Sequence, residues 1–119
     1  MDRRSVMTMM AIGLAVYGLY VASYVPPMLV GRPMPVILAC FVGQAVVALL
    51  AALGVWRASA WAPPVVLLLG GLIVLTEIVE GFVLGLIPFD RALGVSFAGI
   101  LVTFGIAVFV RRSRLVPGY

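Results

Sequence analysis

Long runs of apolar residues alternate along the chain with short polar or proline-containing breaks. Four such runs cover residues 6–25, 36–55, 64–87 and 92–110. Each is close to the ~20 residues that an α-helix needs to cross a hydrocarbon core about 30 Å thick. The runs are continuous instead of alternating, which excludes a transmembrane β-barrel. The pattern therefore predicts four transmembrane helices.

The breaks between the runs predict how the helices are connected. Pro26 and Pro27 are expected to end the first helix, whereas Pro63 and Pro64 suit the first turn of the third. All three connections are short, so neighbouring helices are expected to be antiparallel. The predicted fold is an all-α, up-down antiparallel bundle in which residues 1–119 form a single transmembrane domain.

The composition gives the same class of protein. Hydrophobic residues make up 65% of the chain and charged residues 10%, far from the usage of soluble domains. We therefore expect an integral, multi-pass protein of a bacterial-type inner or cell membrane, with the lipid bilayer as its surroundings. The net charge of +4 is assigned to membrane topology and anionic lipid headgroups, and no nucleic-acid partner is expected.

The arginines predict the orientation in the membrane. With four spans, both termini and the second connection share one side. Six of the eight arginines lie there, and only Arg32 and Arg91 lie on the other side. The positive-inside rule then places both termini in the cytoplasm.

Several kinds of chemistry are excluded by residues that the chain lacks. It has one cysteine, Cys40, and no histidine or lysine. An intrachain disulfide, a His/Cys zinc site, a His-ligated haem and a Ser-His-Asp arrangement therefore cannot form. No metal site and no cofactor are expected.

Two acidic residues lie inside the third apolar run, in the stretch LTEIVEGFVLG. Glu77 and Glu80 are half of the acidic residues in the chain and lie three residues apart, on nearly the same face of a helix. At ~1.5 Å per residue, they lie about 15 and 10 Å from the outer end of the run. An ionised carboxylate there costs on the order of 2.5 kcal/mol or more. We therefore expect the pair to face the bundle, a partner or a cavity, with at least one acid protonated.

Other polar residues occur at a similar depth in the remaining runs. The predicted ligand-binding residues around this pair are Tyr17, Tyr20, Gln44 and Thr103, with Ser96 as a further candidate. Simpler interpretations stay open. Tyr24 fits an aromatic belt at the membrane surface, Ser96 and Thr103 can bond to their own helix, and Gln44 can join two helices.

Small residues predict where helices approach each other. Gly81 and Gly85 form a G-x-x-x-G step on the face of Glu77, and we expect a close helix contact there, within one chain or between two. Four short helices enclose little volume. A pocket would form more easily between lipid-facing helices or between protomers, so a homo-oligomer is expected.

The stretch EIVEGFVLGLIPFDRALG, residues 77–94, resembles the helix–turn–helix stretch of the DoxX-like family of small four-helix membrane proteins. Glu77, Gly81, Leu84, Phe89 and Arg91 follow the order of that family's pattern. This stretch departs from the family in having a glutamate where a small residue is usual, and in starting in the third span instead of the second. The resemblance implies a four-helix bundle and a loose association with redox or quinone-linked membrane functions.

Three functions agree with these residues. The most concrete is a pocket for a lipophilic small molecule, with Glu77 and Glu80 as general acid and base in an isomerisation, epoxide opening or cyclisation. The first alternative is a proton-coupled transporter of small molecules, although the arginine bias disfavours the dual topology of small multidrug transporters. The second is a non-catalytic accessory subunit, whose acids bond to another chain of a membrane complex.

Overall fold

The computed structural model describes residues 2–30, 35–83, 85 and 87–115. These form helices α1 (Arg3–Ala22), α2 (Val25–Val30), α3 (Pro35–Trp56), α4 (Ala62–Ile78), a π-helical segment (Val79–Val83) and α5 (Phe89–Leu115). No β-strand occurs within the described ranges. The prediction of an all-α chain is therefore confirmed.

Within the described residues, four helical stretches are long and apolar enough to cross a membrane. They are Arg4–Pro27, Pro35–Trp56, Ala62–Val83 and Phe89–Ser113. Their number agrees with the four apolar runs of the sequence. This assignment rests on the length and composition of the helices.

The first helix begins and ends differently from the prediction. Its N-cap is Asp2, whose Oδ1 accepts a hydrogen bond of 2.7 Å from the backbone N–H of Ser5 and holds the pKa of Asp2 below its ordinary value. The helix ends at Ala22, and Pro26 and Pro27 lie in the first turn of α2. Proline is tolerated there because the first backbone N–H groups of a helix have no partner within it. The prolines thus lie in a short helix that follows α1, and the membrane-length stretch that includes both ends at Pro27.

The third membrane-length stretch ends at Val83, four residues before the predicted end. Gly85 follows with φ of 64°, a left-handed conformation that glycine adopts without steric cost. Pro88 disfavours helical backbone in the residue before it. Because the stretch is shorter, Glu77 lies only ~9 Å from its end instead of about 15 Å.

The helices pack as a curved row. Helix α3 packs against α1 on one side and α4 on the other, and α4 packs against α5. In contrast, α1 and α5 touch at only a few positions. A gap therefore remains between the first and the last helix of the row.

The apolar core is concentrated at one end of the bundle, measured along the helix axes. It lies where α1 and α4 begin and α3 and α5 end. Its largest fully buried apolar side chains are those of Met7, Val55, Val66, Leu69 and Val110. That end is closely packed, and the polar residues of interest lie towards the other end.

The expected glycine contact is confirmed for one residue and wrong for the other. A Cβ added at Gly81 would lie 2.7 Å from Cβ of Ala92, so α5 packs directly on the backbone there. Gly85 lies beyond the helix, and a Cβ added to it would meet no atom of the chain within 4 Å. Gly85 therefore does not share a helix face with Gly81.

Candidate functional site

A cavity of about 450 Å³ lies at the end of the bundle away from the closely packed core. We call it the polar cavity, because it collects most of the intramembrane polar residues of the chain. Its walls come from α1, α3, α4, the π-helical segment, α5 and the turn before α5. The lining residues are Tyr17, Tyr20, Val21, Tyr24, Phe41, Gln44, Thr76, Glu77, Glu80, Ile87, Arg91 and Val95.

Five predicted site residues line this one cavity: Tyr17, Tyr20, Gln44, Glu77 and Glu80. They come from three different stretches of the chain, so tertiary packing brings them together. Their similar distance from the helix ends is the property that made them predictable, because residues at one level of a helical bundle can meet.

A chain of hydrogen bonds crosses three helices at the wall of the polar cavity. The hydroxyl of Tyr17 donates to Oε1 of Gln44 over 2.5 Å, and Nε2 of Gln44 donates to Oγ1 of Thr76 over 2.6 Å. The Thr76 hydroxyl in turn donates to the carbonyl oxygen of Leu72 over 2.7 Å. Gln44, which is only 3% exposed, is therefore bonded to Tyr17 and Thr76 and not to a glutamate. Its amide is held by the protein.

Glu77 has a different environment from Gln44. Its Oε2 is buried and has no hydrogen-bond partner in the part of the chain that the structure describes. A buried acceptor without a partner costs roughly 1–3 kcal/mol, and more when it is charged. Native proteins contain few such atoms, and each calls for an explanation such as a bound molecule or a role in proton transfer.

Glu80 lies in the π-helical segment, and Glu77 lies in the last turn of α4. The wider π-helical turn changes the direction of side chains relative to a regular α-helix, and such segments occur frequently at functional sites. Both carboxyl groups nevertheless line the polar cavity. Two acidic side chains therefore border the same space.

Among the described residues that line the polar cavity, Arg91 is the one with a positive charge. It lies in the first turn of α5, so its positive charge faces the same space as the two glutamates. From the sequence, Arg91 contributed only to the predicted orientation in the membrane and to the DoxX-like resemblance. Its position could have been predicted from the sequence. Arg91 follows Glu80 after a short connection, and a short connection brings the chain back to a similar depth in the bundle.

An aromatic cluster forms the exposed rim of the polar cavity. The hydroxyls of Tyr20 and Tyr24 are 2.7 Å apart, and their rings are in edge contact with centroids 5.2 Å apart. The ring of Tyr24 also packs edge-on against Phe41 at 5.9 Å. Tyr24 thus lines the site, although the sequence suggested a surface belt, and Phe41 was not predicted.

Thr103 lies in a second cavity. It is buried, and its hydroxyl donates to the carbonyl oxygen of Gly99 over 2.6 Å, as the simpler interpretation of the sequence has it. This cavity, of about 460 Å³, lies between α1, α4 and α5, and we call it the apolar groove. Its walls include Met10, Leu14, Leu69, Ile73, Val102 and Ile106. Ser96 is half-buried and lines neither cavity.

The described residues contain no group of three His, Cys, Asp or Glu side chains that could hold a metal ion. Cys40 is buried and free. The polar side chains that line the polar cavity carry carboxyl, hydroxyl, amide and guanidinium groups.

Comparison with protein-family models, curated proteins and solved structures gives no match for this chain. The DoxX-like resemblance therefore stays a prediction. Of its five residues, Glu77 and Arg91 line the polar cavity, Gly81 contacts Ala92 and Phe89 begins α5. Leu84 lies outside the described residues.

Proposed function

We propose that the chain is an integral membrane protein whose four long helices cross the bilayer in alternating directions. The contacts support this direction. Nη1 of Arg4, at the start of α1, donates to the carbonyl oxygen of Trp56 at the end of α3 over 3.3 Å. Along α4 and α5 the order of contacts is reversed, since Gly70 meets Thr103 and Gly81 meets Ala92.

The proposed orientation has both termini in the cytoplasm. Arg4, Arg57 and Arg111 then lie near the cytoplasmic surface at the closely packed end of the bundle. Arg91 and the polar cavity lie towards the outer surface. Arg32, which the sequence also places outside, lies beyond the described residues.

The polar cavity is proposed to bind a lipophilic small molecule whose polar group reaches Glu77. The observation that carries this proposal is the buried Oε2 of Glu77, because a ligand that donates a hydrogen bond would satisfy it. The amide oxygen and nitrogen of Gln44 each already make a hydrogen bond within the protein, and the side chain is almost fully buried, so we assign the recognition of the ligand mainly to the two glutamates. One chain forms the whole cavity, and a homo-oligomer stays a prediction that this pocket does not require.

The two carboxyl groups also allow acid–base chemistry on the bound molecule. One carboxylic acid can donate a proton to a substrate oxygen or carbon while the other accepts a proton from a neighbouring position. The Tyr17 hydroxyl already donates to Gln44, so it does not take part as a free acid. Isomerisation needs no more than such a pair. Epoxide opening and cyclisation also need a nucleophile, such as a water molecule or a group of the substrate itself, which attacks the carbon while one carboxylic acid protonates the leaving oxygen or carbon and the other carboxylate takes up the released proton.

Replacing each glutamate tests the proposed function. The protein is purified from native membranes in mild detergent, and bound small molecules are extracted and measured by mass spectrometry. Glu77→Leu should remove a bound lipophilic compound that wild type retains, because it eliminates the acceptor. Glu80→Gln should reduce its amount only partly, since Glu77 remains. Gly71→Ala, at an open position outside both cavities, is the matched control.

The same preparations separate the alternative functions. If Glu77→Leu and Glu80→Gln release a co-purifying protein while the set of bound small molecules stays unchanged, the chain is an accessory subunit. If Glu77→Gln, which cannot titrate, abolishes pH-driven uptake of a solute into proteoliposomes, the chain is a transporter. Circular dichroism verifies that each variant keeps its helix content.

A further inference from the structure

The polar cavity and the apolar groove are adjacent and share two lining residues. Tyr17 of α1 and Val95 of α5 line both of them. These residues lie on the two helices that scarcely touch each other. One molecule can therefore extend from the polar cavity into the apolar groove along the gap between α1 and α5.

The two spaces differ in chemistry. The polar cavity presents Glu77, Glu80 and Arg91, whereas the walls of the apolar groove are mostly aliphatic. The hydroxyls that border the groove belong to Thr103 and Tyr17, and each donates to a protein acceptor. A ligand that fits both spaces thus has a polar head and a hydrocarbon tail.

The volume of the groove limits the tail. The groove has a volume of about 460 Å³. One water molecule occupies about 30 Å³ in the liquid, and a methylene group is similar in size, so the groove can hold roughly fifteen methylene groups. That is enough for one tail of about a dozen carbon atoms, and a second tail of that length would have to lie outside the groove. Val102, at the rim, is 60% exposed, so the groove opens on the bundle surface. A tail can enter sideways from the bilayer.

The charges in the polar cavity select the head. Two carboxyl groups face one guanidinium group there, and the atom without a partner is an acceptor, Oε2 of Glu77. A carboxylate head would bring a third acid next to two others, which is unfavourable. An amine or hydroxyl head donates a hydrogen bond to Glu77 instead.

We propose that the ligand is a single-chain amphiphile whose amine or hydroxyl head lies against Glu77 and whose hydrocarbon tail lies in the apolar groove. This inference rests on the proposed function of the polar cavity and defines its ligand class. Arg91 then balances the second carboxyl group, so that the occupied site carries little net charge.

Photo-cross-linking tests the position of the tail. The protein is placed in nanodiscs of phosphatidylcholine with a twelve-carbon amine that carries a diazirine near the end of its tail, and labelled residues are identified by mass spectrometry. Labelling should fall on Met10, Val102 and Ile106, and excess dodecylamine should compete. A second amine with the diazirine next to the head should label residues of the polar cavity.

Two leucine substitutions provide a matched pair. A Cβ added at Gly13 meets no atom within 4 Å, yet Gly13 lines the apolar groove, so the first side-chain atom of Gly13→Leu has room and the rest of the leucine occupies groove space. Gly105 is equally open and lines neither cavity. Gly13→Leu should reduce labelling by the tail-end probe about tenfold, because several methylene groups lose their site, whereas Gly105→Leu should leave it unchanged.

The probes also separate failure of this inference from failure of the proposed function. If the head-proximal probe depends on Glu77 but the tail-end probe labels residues outside the groove, the bipartite site is overturned and the polar cavity stands. If neither probe depends on Glu77, measured with Glu77→Leu, both proposals fail.

Dodecanol and dodecanoic acid serve as competitors. Competition by dodecanol, not by the acid, supports the proposed head, and equal competition by the acid overturns it. Wild-type labelling decides the position even if a variant fails to fold.

Discussion

At the scale of single residues, Gln44 and Glu77 show how similar positions acquire different roles. Both are polar residues in apolar helices, and both line the polar cavity. Gln44 is enclosed by partners on two other helices, whereas Glu77 keeps one buried oxygen without a partner. Gln44 therefore joins helices, whereas Glu77 keeps the acceptor to which we assign the proposed ligand.

Removing the amide of Gln44 should destabilise the bundle, because the Tyr17 hydroxyl loses its hydrogen-bond acceptor. Gln44→Leu has a similar volume but orphans the Tyr17 hydroxyl, so we expect a loss of about 1 kcal/mol in the free energy of unfolding. Tyr17→Phe in the same variant should recover part of it. Unfolding in mixed micelles, arranged as a double-mutant cycle, measures the coupling. Strict additivity of the two substitutions would rule out the hydrogen bond.

At the scale of elements, two adjacent glycines of α4 differ in what surrounds them. A Cβ added at Gly70 would overlap the side chain of Thr103 on α5, with the Thr103 Cβ at 3.1 Å, whereas one added at Gly71 would meet no atom within 4 Å. The sequence GG predicts two positions of close approach. Only the rotation of the helix against its neighbour decides which of them is used.

Alanine at these two positions should have opposite effects. Gly71→Ala should stabilise the protein slightly, by up to about 1 kcal/mol, because alanine favours helix more than glycine. Gly70→Ala should destabilise it by about 1–3 kcal/mol, because α5 must shift to admit the methyl group. Detergent-dependent unfolding followed by circular dichroism measures both. Equal stability of the two variants would contradict the packing of α4 on α5.

At the scale of the whole molecule, the bundle has two unlike ends. One end holds the closely packed apolar core, with Met7, Val55 and Val110 almost fully buried. The other holds the polar cavity and the opening between α1 and α5. If the arginine-rich end lies in the cytoplasm, the cavity is reached from the outer leaflet or the outer solution.

Labelling of single cysteines determines this orientation. In a Cys40→Ala background, cysteine is introduced at Ser5 and at Asp90, both of which are exposed. A membrane-impermeant maleimide should label the Asp90→Cys variant in intact cells. It should label the Ser5→Cys variant only after permeabilisation. Labelling of both from the same side would reverse the proposed topology.

The sequence by itself determined the helix content, the number of membrane-length helices and most of the polar residues of the site. These properties are local, since run length and hydrophobicity decide whether a segment can be a membrane helix. The level of a polar residue along its helix follows from counting residues, which is why Tyr17, Gln44 and Glu77 were found together.

Only the tertiary structure decided which of these groups satisfy each other. Thr76 and Arg91 enter the site because of the rotation and packing of α4 and α5, which no periodicity specifies. The same packing leaves α1 apart from α5. Hydrogen bonds and cavities depend on atoms distant along the chain, and so the unpartnered oxygen of Glu77 and the groove beside it appear only when the helices are assembled.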